Sequence, residues 1–202
     1  MTDHEVRRRT GGRSERVRRA VIEAALQLLR DEGVEEFTVA KVAATAGVNA
    51  TSVYRRWTSR ENLILDAIVS EGEKQGGSPD TGTLAGDLTA YAEALGDYLA
   101  TADGTALTRV LFSPDVLREL QPQREELIGE RVRDLTRMLD RARERGEITG
   151  HPDPRAILDI LISPQQIRVI AGESPDKCLP TRLARVATAG IDADAFDRPA
   201  ST

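Results

Sequence analysis

The chain has 202 residues, of which 40% are hydrophobic, 30% are charged and 3% are aromatic, a balance typical of a water-soluble globular protein. It lacks an apolar run of the roughly 20 residues that a membrane helix needs, and its single cysteine, Cys178, excludes an internal disulfide framework and a cysteine-only metal cluster. The net charge of −5 argues at first against a nucleic-acid partner.

The average charge conceals an asymmetry along the chain. Residues 1–65 contain 12 Lys and Arg against 9 Asp and Glu, whereas the remaining 137 residues contain 16 against 24. A basic end on an acidic body is expected where DNA contact is confined to one end, but a basic disordered tail without a partner gives the same pattern. Charge alone leaves both interpretations open.

The first predicted elements are a basic arm and a long helix. Residues 1–13 are polar and basic and contain glycine, which predicts disorder in the free protein. From Ser14 to Arg30, apolar residues recur at helical spacing, and Gly33 is well placed to end the helix.

Two short helices separated by a glycine follow. Thr38 is the predicted N-cap of a helix over 39–45, Gly47 interrupts it, and Asn49 caps a second helix that runs to about Trp57. A long helix followed by two short ones around a glycine turn is the helix-turn-helix arrangement, whose second short helix enters the major groove. The face of that helix opposite its apolar side carries small residues, hydroxyls and arginines, which suit phosphate contacts and bidentate pairing with guanine.

A fourth helix and a boundary complete the first domain. Thr58 to Glu61 reads as a capping box that opens the helix, and the segment from Gly72 to Thr83 contains four glycines and a proline. The sequence therefore predicts a DNA-binding domain over residues 14–72.

Only helices are predicted beyond this boundary. A short turn of helix is expected to end at Leu120, Ser163-Pro164 is expected to kink or break the helix that contains it, and residues 191–202 are expected to form a frayed tail. The principal helices are predicted over residues 84–99, 106–112, 123–145, 154–170 and 181–189. The predicted fold class is all-α with about nine helices, in which a helical ligand-binding and dimerisation domain over 84–190 follows the helix-turn-helix domain.

Residues 14–70 resemble the TetR family of transcriptional regulators (TetR/AcrR-type). The resemblance rests on the following positions: Arg19–Leu26, Gly33, Phe37–Val39, Val42–Ala43, Ala46–Val48, Val53–Trp57 and Ser59–Leu63. It implies that one group of side chains contacts phosphates, namely Thr38, Ser52, Tyr54 and Arg60. It implies that a second group faces bases, namely Ala50, Thr51 and Arg55. The predicted DNA-binding set is completed by Lys41, Asn49 and Arg56.

The chain departs from the family pattern at three positions. Trp57 stands where phenylalanine is usual, Arg56 replaces a common histidine, and Thr51 replaces a frequent glycine. The last change alters the surface that faces the bases, so the operator sequence cannot be transferred from relatives.

The second domain resembles the regulatory domains of the same family more loosely. The resemblance implies a two-fold dimer formed by the last two helices, here around 154–170 and 176–189. Leu158 and Leu161 are the candidate buried interface residues, because the apolar spacing of this segment exceeds what one small domain needs. The resemblance also implies an effector pocket among the middle helices, whereas single residues such as Tyr98, Phe112 and Gln165 are better explained by ordinary packing or surface exposure. The predicted lining consists of Leu95, Tyr98, Leu99, Leu111, Phe112, Leu161, Gln165 and Arg168. The scarcity of aromatics predicts a mostly aliphatic lining and a mainly apolar effector.

These features predict a cytoplasmic, dimeric repressor that binds double-stranded operator DNA and is released by a small molecule. The alternatives are a DNA-binding regulator without an effector, and a helical adaptor or enzyme that uses the helix-turn-helix as an interaction surface. No catalytic cluster, cofactor motif or metal-ligand spacing is recognisable, and His4 and His151 are expected to be solvent-exposed.

Overall fold

The computed structural model describes residues 10–73, 77–119 and 121–197, and its chain divides into two compact units, Met1–Glu71 and Gly72–Thr202. The regular elements of the described residues are all α-helices. The first four are α1 (Thr10–Asp31), α2 (Val39–Thr45), α3 (Ala50–Trp57) and α4 (Arg60–Glu73). The others are α5 (Leu84–Leu99), α6 (Ala102–Leu111), α7 (Pro114–Glu119), α8 (Gln121–Glu144), α9 (Pro154–Ile170) and α10 (Leu179–Asp192). The all-α prediction is confirmed.

In the first unit, α1 to α4 surround a small core. Apolar residues at helical spacing, such as Val21 and Leu29 of α1, are buried together with Phe37, Val53 and Leu63. The predicted disordered arm is wrong for residues 10–13, which form the start of α1 because the helical run extends towards the N-terminus from Ser14. Residues 1–9 of that arm, with His4, lie outside the described residues.

The predicted capping box at Thr58 is wrong by one residue. Thr58 ends α3 with a φ of +35°, and Ser59 instead caps α4, because its hydroxyl accepts a hydrogen bond from the backbone N–H of Asn62 at 3.2 Å. The side chain of Asn62 donates to the Thr58 hydroxyl at 3.0 Å, so Thr58 still takes part in the junction.

In the second unit, α5 packs against α6, α8, α9 and α10. Their apolar faces meet in one core that includes Leu88, Leu135, Met138, Leu161 and Ala187. The short turn predicted before Leu120 is α7, while residue 120 itself lies outside the described residues.

A buried carboxylate fixes the segment that leads into α5. Asp87 is completely buried, and it accepts hydrogen bonds from the backbone N–H of Thr81 at 2.6 Å and from the hydroxyl of Thr81 at 2.8 Å. Arg141 and Arg145 at the end of α8 lie within 3.7 Å and 3.6 Å of the same carboxylate. Paired in this way, a buried charge holds the preceding segment against α8.

The expectation that Ser163-Pro164 breaks its helix is wrong, since α9 continues through Pro164 to Ile170. Proline removes one backbone donor, but Leu161 before it and Gln165 after it are both buried, so packing holds the two halves in one helix. The Gln165 side chain also donates to the Leu161 carbonyl at 2.7 Å across the proline.

The predicted frayed tail is wrong for residues 191–197. α10 continues to Asp192, the Phe196 side chain packs against the core, and the Phe196 carbonyl accepts a hydrogen bond from the Asp153 backbone N–H at 2.9 Å. Tertiary contacts with the α8–α9 loop therefore order a segment whose composition suggests a loose end. Residues 198–202 lie outside the described residues.

Candidate nucleic-acid interface and a cavity in the second unit

The turn between α2 and α3 has the geometry that the sequence predicts. Gly47 has a φ of +65°, a conformation that glycine adopts at no steric cost. The Thr38 hydroxyl accepts from the Lys41 backbone N–H at 3.2 Å, and the Asn49 side chain accepts from the Thr51 backbone N–H at 2.8 Å. Each short helix thus begins at a side-chain cap, and the glycine turn sets the direction of α3.

α3 has one buried and one exposed face. Val53 and Trp57 point into the core, whereas Tyr54 has 52% of its surface exposed. Most of the remaining predicted DNA-binding residues of this segment are exposed as well, namely Asn49, Thr51, Ser52, Arg55 and Arg56, while Ala50 is half-buried. Exposed hydroxyls and guanidinium groups on one short helix can reach phosphates and base edges.

The sequence predicts that Lys41 contacts DNA, but in the structure its ammonium group is already paired with two carboxylates. The Nζ atom lies 2.6 Å from Glu32 and 3.1 Å from Glu36, and hydrogen bonds to these two carboxylates raise the pKa of Lys41. A phosphate would have to compete with both carboxylates for this lysine.

Arg56 turns away from the outer face of α3. Its guanidinium donates to the Ser14 hydroxyl on α1 at 3.1 Å and lies 5.4 Å from the centre of the Trp57 ring. Arg56 therefore bridges α3 and α1, and its side chain stays exposed to solvent.

Arg60, at the first residue of α4, bonds to the loop between α1 and α2. Its guanidinium donates to the Val34 carbonyl and lies 3.9 Å from the Glu61 carboxylate. Its Nε atom is buried without a hydrogen-bond partner among the described residues. Arg60 thus joins the start of α4 to the loop between α1 and α2, while its predicted contact with a phosphate stays a prediction.

A polar network behind α3 was missed by sequence reasoning. The Trp57 indole N–H donates to Asp66 at 2.8 Å, and Arg18 Nε donates to the same carboxylate at 3.2 Å. Burial by itself raises the pKa of Asp66, but the hydrogen bonds from Arg18 and Trp57 outweigh it and hold that pKa below the ordinary value. The available signal was Trp57 itself, because a buried indole N–H needs an acceptor.

In the second unit, a cavity of about 290 Å³ lies between α5, α9 and the loop that leads into α10. We call it the α5–α9 cavity. Three of the predicted ligand-lining residues, Leu99, Gln165 and Arg168, line it. Besides Arg168, its charged lining consists of five residues that the sequence did not predict: Glu93, Asp97, Glu173, Asp176 and Lys177. The expected aliphatic lining therefore describes only part of this cavity.

The other predicted lining residues lie elsewhere. Leu95 lines a separate cavity of about 50 Å³, Leu161 is fully buried in the core, and Tyr98, Leu111 and Phe112 are half-buried outside both cavities. Leu161 cannot contact a ligand without displacement of its neighbours, because the middle of the helical bundle is filled at this level by core side chains.

The prediction that Leu158 and Leu161 lie in a dimer interface is also wrong. They are 2% and 0% exposed within a single chain, so a second chain cannot contact them. The exposed large apolar residues of these helices are Ile167 and Ile170 on α9 and Val186 on α10. Apolar spacing identified the helices correctly but not which of their faces is turned inward.

Three further findings concern chemistry outside these two sites. The described residues contain no group of three or more His, Cys, Asp or Glu that could hold a metal ion. Cys178 and His151 are both exposed. None of the helices in the described ranges is long and apolar enough to cross a membrane.

Comparisons with known proteins agree with this architecture. A family model described as "Bacterial regulatory proteins, tetR family" matches residues 21–67, and one described as "Tetracyclin repressor-like, C-terminal domain" matches residues 78–187. The chain is 32% identical over 159 residues to the HTH-type transcriptional regulator AqdR of Rhodococcus erythropolis, which covers 78% of this chain and 77% of that protein.

Two further comparisons extend over most of the chain. It is 28% identical over 174 residues to the DNA-binding transcriptional repressor TetR of Mycobacteroides abscessus, covering 81% of this chain and 87% of that protein. The crystal structure of the TetR family transcription regulator SCO0332 superposes with a TM-score of 0.65 at 27% identity, covering 87% of this chain and 98% of the other. The fold, the exposed face of α3 and these similarities together identify a DNA-binding transcription regulator rather than an enzyme. The chain belongs to the TetR family of bacterial regulatory proteins.

Proposed function

We propose that the protein is a homodimeric transcriptional repressor that binds operator DNA in the cytoplasm and releases it when a small molecule occupies the α5–α9 cavity. In this proposal residues 14–72 form the DNA-binding domain and residues 84–190 the regulatory and dimerisation domain. Repression is supported by the similarity to a protein described as a DNA-binding transcriptional repressor.

The observation that carries the DNA-binding part is the exposed face of α3. Tyr54 and Ser52 supply hydroxyls for phosphates, whereas Arg55 supplies a planar pair of donors suited to the N7 and O6 atoms of guanine. Thr51 and Ala50 are short enough to let the helix approach the base edges. Thr38 at the start of α2 and Arg60 at the start of α4 are assigned to phosphates on either side.

Dimerisation is supported by the unpartnered apolar residues of the last two helices. Ile167 on α9 and Val186 on α10 have 60% and 58% of their surface exposed. Ile170 is also exposed and lies three positions after Ile167 on α9, so the two side chains are neighbours on one face, and an exposed apolar patch of this kind favours association with another surface. A second copy of the same chain provides that surface with two-fold symmetry, which also matches the two half-sites of a typical operator.

Effector release is supported by the α5–α9 cavity, because its walls come from several elements of the second unit. α5 and α9 contribute residues, and so do the loop after α9 and the start of α10. A ligand that contacts all four elements stabilises one arrangement of them, and it weakens DNA binding if that arrangement is the one with lower operator affinity.

The proposal is tested by a gel shift with the DNA upstream of the protein's own gene, followed by a thermal-shift screen of small molecules. We expect a specific complex in the first experiment, and in the second a compound that raises the Tm and dissociates that complex. A specific complex that no stabilising compound dissociates would indicate a regulator without an effector. The absence of any specific complex would favour an interaction role for the helix-turn-helix.

A further inference from the structure

The sequence predicts an apolar effector, but the lining of the α5–α9 cavity has a different chemistry. We propose that this cavity binds a small organic cation, an amine or a similar nitrogen base carried on an apolar body. This inference rests on the effector role proposed above, and it follows from three features of the cavity: its charge balance, a free carbonyl oxygen in its wall and the helix ends that meet there.

The charged lining is acidic on balance. Four carboxylates face two basic side chains, and one of the bases, Arg168, is already paired with Glu173 at 3.0 Å. Asp97 has no hydrogen bond or ion pair within the described ranges, and Glu93 accepts only a neutral hydroxyl donor, from Thr181 at 3.0 Å. Asp176 is likewise paired, with the Arg182 guanidinium. Lys177 is the single remaining base of this lining, so Glu93 and Asp97 are left to attract a cation against one ammonium group that repels it.

The second feature is the amide of Gln165, which is 5% exposed and lies in the cavity wall. Its Nε2 atom donates to the carbonyls of Leu161 at 2.7 Å and Ala92 at 3.3 Å, which fixes the orientation of the amide and identifies the other atom as oxygen. Among the described residues no donor reaches Oε1. A carbonyl oxygen that is open to the cavity and has no donor favours a ligand that brings an N–H group.

Gly96 makes room for this oxygen. A Cβ atom at position 96 would lie 2.9 Å from Gln165 Oε1 and 2.8 Å from the Pro180 ring. Because residue 96 has no side chain, α5 approaches α9 and α10 closely and the Gln165 oxygen stays at the cavity wall.

The third feature is the direction of the helices. Asp97, Leu99 and Ala100 lie at the C-terminal end of α5, and Arg168 and Val169 lie at the C-terminal end of α9. The C-terminal end of a helix carries a partial negative charge, so both ends favour a cation.

α10 begins at the same cavity and has the opposite polarity, but it offers an anion few donors. The Leu179 N–H is already bonded to the Asp176 carbonyl at 3.0 Å, and Pro180 has no N–H. Leu99, Val169 and Pro180 supply apolar surface beside the polar groups. A volume of about 290 Å³ is close to the lower end of typical ligand pockets, which limits the ligand to a small one.

The inference is tested on the full-length protein with three probes of the same shape: 3-phenylpropylamine, 3-phenylpropanol and 3-phenylpropanoate. Isothermal calorimetry and thermal shift are measured near neutral pH, where the amine is a cation and the acid is an anion. We expect the amine to bind and to raise the Tm, and the alcohol and the carboxylate to bind at least tenfold more weakly. Tighter binding of the carboxylate or the alcohol, or no binding of the amine at millimolar concentration, would overturn the inference.

A matched pair of variants locates the binding. Asp97→Asn and Lys177→Gln each neutralise one exposed side chain at the cavity with little change in size, so neither should disturb folding. Asp97→Asn is expected to weaken amine binding about three- to fivefold, as for loss of an exposed ion pair, whereas Lys177→Gln is expected to leave it unchanged or to strengthen it. Equal affinities in both variants, or the reverse order, would place the amine elsewhere and contradict the proposal.

A gel shift with the amine separates this inference from the proposed function. If the amine binds at Asp97 but leaves the DNA complex intact, the cation site stands and the effector role fails. If another compound dissociates the complex while the amine does not bind, the effector role stands and the cation site fails.

Discussion

The residues on α3 differ in what they can recognise. A hydroxyl that reaches a phosphate contacts every DNA sequence alike, whereas a guanidinium that reaches a base edge distinguishes one base pair from another. Tyr54 and Arg55 are neighbours on the same exposed helix, so the two contributions can be separated by single substitutions.

We predict that Tyr54→Phe weakens binding to operator and to random DNA by similar factors, because it removes only a phosphate-directed hydroxyl. Arg55→Ala should instead lose discrimination of about 1–3 kcal/mol at one base pair. Fluorescence anisotropy titrations with the operator, a single-mismatch operator and a random duplex measure both effects. If Tyr54→Phe changes base preference while Arg55→Ala does not, the assumed orientation of α3 is wrong.

Arg60 allows a test that separates a DNA contact from a structural role. If its guanidinium releases one counterion on binding, Arg60→Ala should flatten the plot of log affinity against log salt concentration by about one unit of slope. If Arg60 only holds the Val34 carbonyl, the variant lowers the Tm and leaves the slope unchanged. Lys41→Gln is a useful comparison, because the Lys41 ammonium group is already paired with Glu32 and Glu36 and its loss should change the slope less.

Asp66 makes the stability of the first unit dependent on pH. Its pKa in the folded chain lies below the ordinary value of 3.8, so the ionised form stabilises the fold above that pH, and the stabilisation is lost as the pH falls through the lowered pKa. We predict that Asp66→Asn lowers the free energy of unfolding at neutral pH by about 1–3 kcal/mol, because charge-assisted hydrogen bonds are lost.

The same variant should unfold with a flatter dependence on acid below about pH 4. Trp57 is the single tryptophan of the chain, so no other tryptophan contributes to the fluorescence and the emission reports unfolding of this unit. Glu23→Gln, on the exposed face of α1, is the matched control. Parallel acid curves for the wild type and Asp66→Asn would show that the Arg18 and Trp57 bonds do not depend on the ionised carboxylate.

At the scale of elements, α9 and α10 each have one face in the core and another that is exposed. The buried face of α9 includes Leu158 and Leu161, whereas Ile167 lies on the exposed face. Ile167 and Ile170 are neighbours on the exposed face of α9 and Val186 is exposed on α10, so we expect a second chain to bind at these outer faces.

We predict that Ile167→Asp and Val186→Asp each shift the protein towards monomer, since a charge buried without a partner in an interface is unfavourable. Sedimentation velocity at micromolar concentration measures the change. Thr136→Asp, on an exposed position of α8, introduces the same charge outside this surface and should leave the dimer intact. A wild-type monomer, or dimers retained in both α9 and α10 variants, would contradict the proposed interface.

For the molecule as a whole, the proposed function assigns DNA and effector to different units. If the effector weakens DNA binding by a given factor, thermodynamic linkage requires DNA to weaken effector binding by the same factor. We predict this equality for any compound that dissociates the complex. Calorimetric titration of the compound with and without saturating operator gives one factor, and DNA titration with and without the compound gives the other. Unequal factors would indicate that the compound also binds DNA directly or changes the oligomeric state.

The helices of the first unit were predictable because their signals are local. Thr38 and Asn49 cap α2 and α3 as expected, and Gly47 adopts the positive φ that the turn requires. A capping hydrogen bond joins residues two or three positions apart, so it can be read directly from the order of residues. The predicted cap of α4 was wrong by one residue, because Thr58 and Ser59 are both suitable caps. The positive φ of Thr58 at the end of α3 leaves Ser59 as the residue that accepts the capping hydrogen bond.

Periodicity and capping depend on near neighbours in the chain, so the order of residues was enough to predict the helical fold class, a division near residue 72, the helix-turn-helix and the exposed face of α3. Tertiary structure decided which face of α9 is buried, which charges line the α5–α9 cavity, and which cations are already paired, as with Lys41. These properties depend on residues far apart in sequence: Gln165 bonds to Ala92 across 73 positions, and Arg18 bonds to Asp66 across 48. A helical pattern specifies that a face is apolar, but only packing against the other helices determines what that face meets.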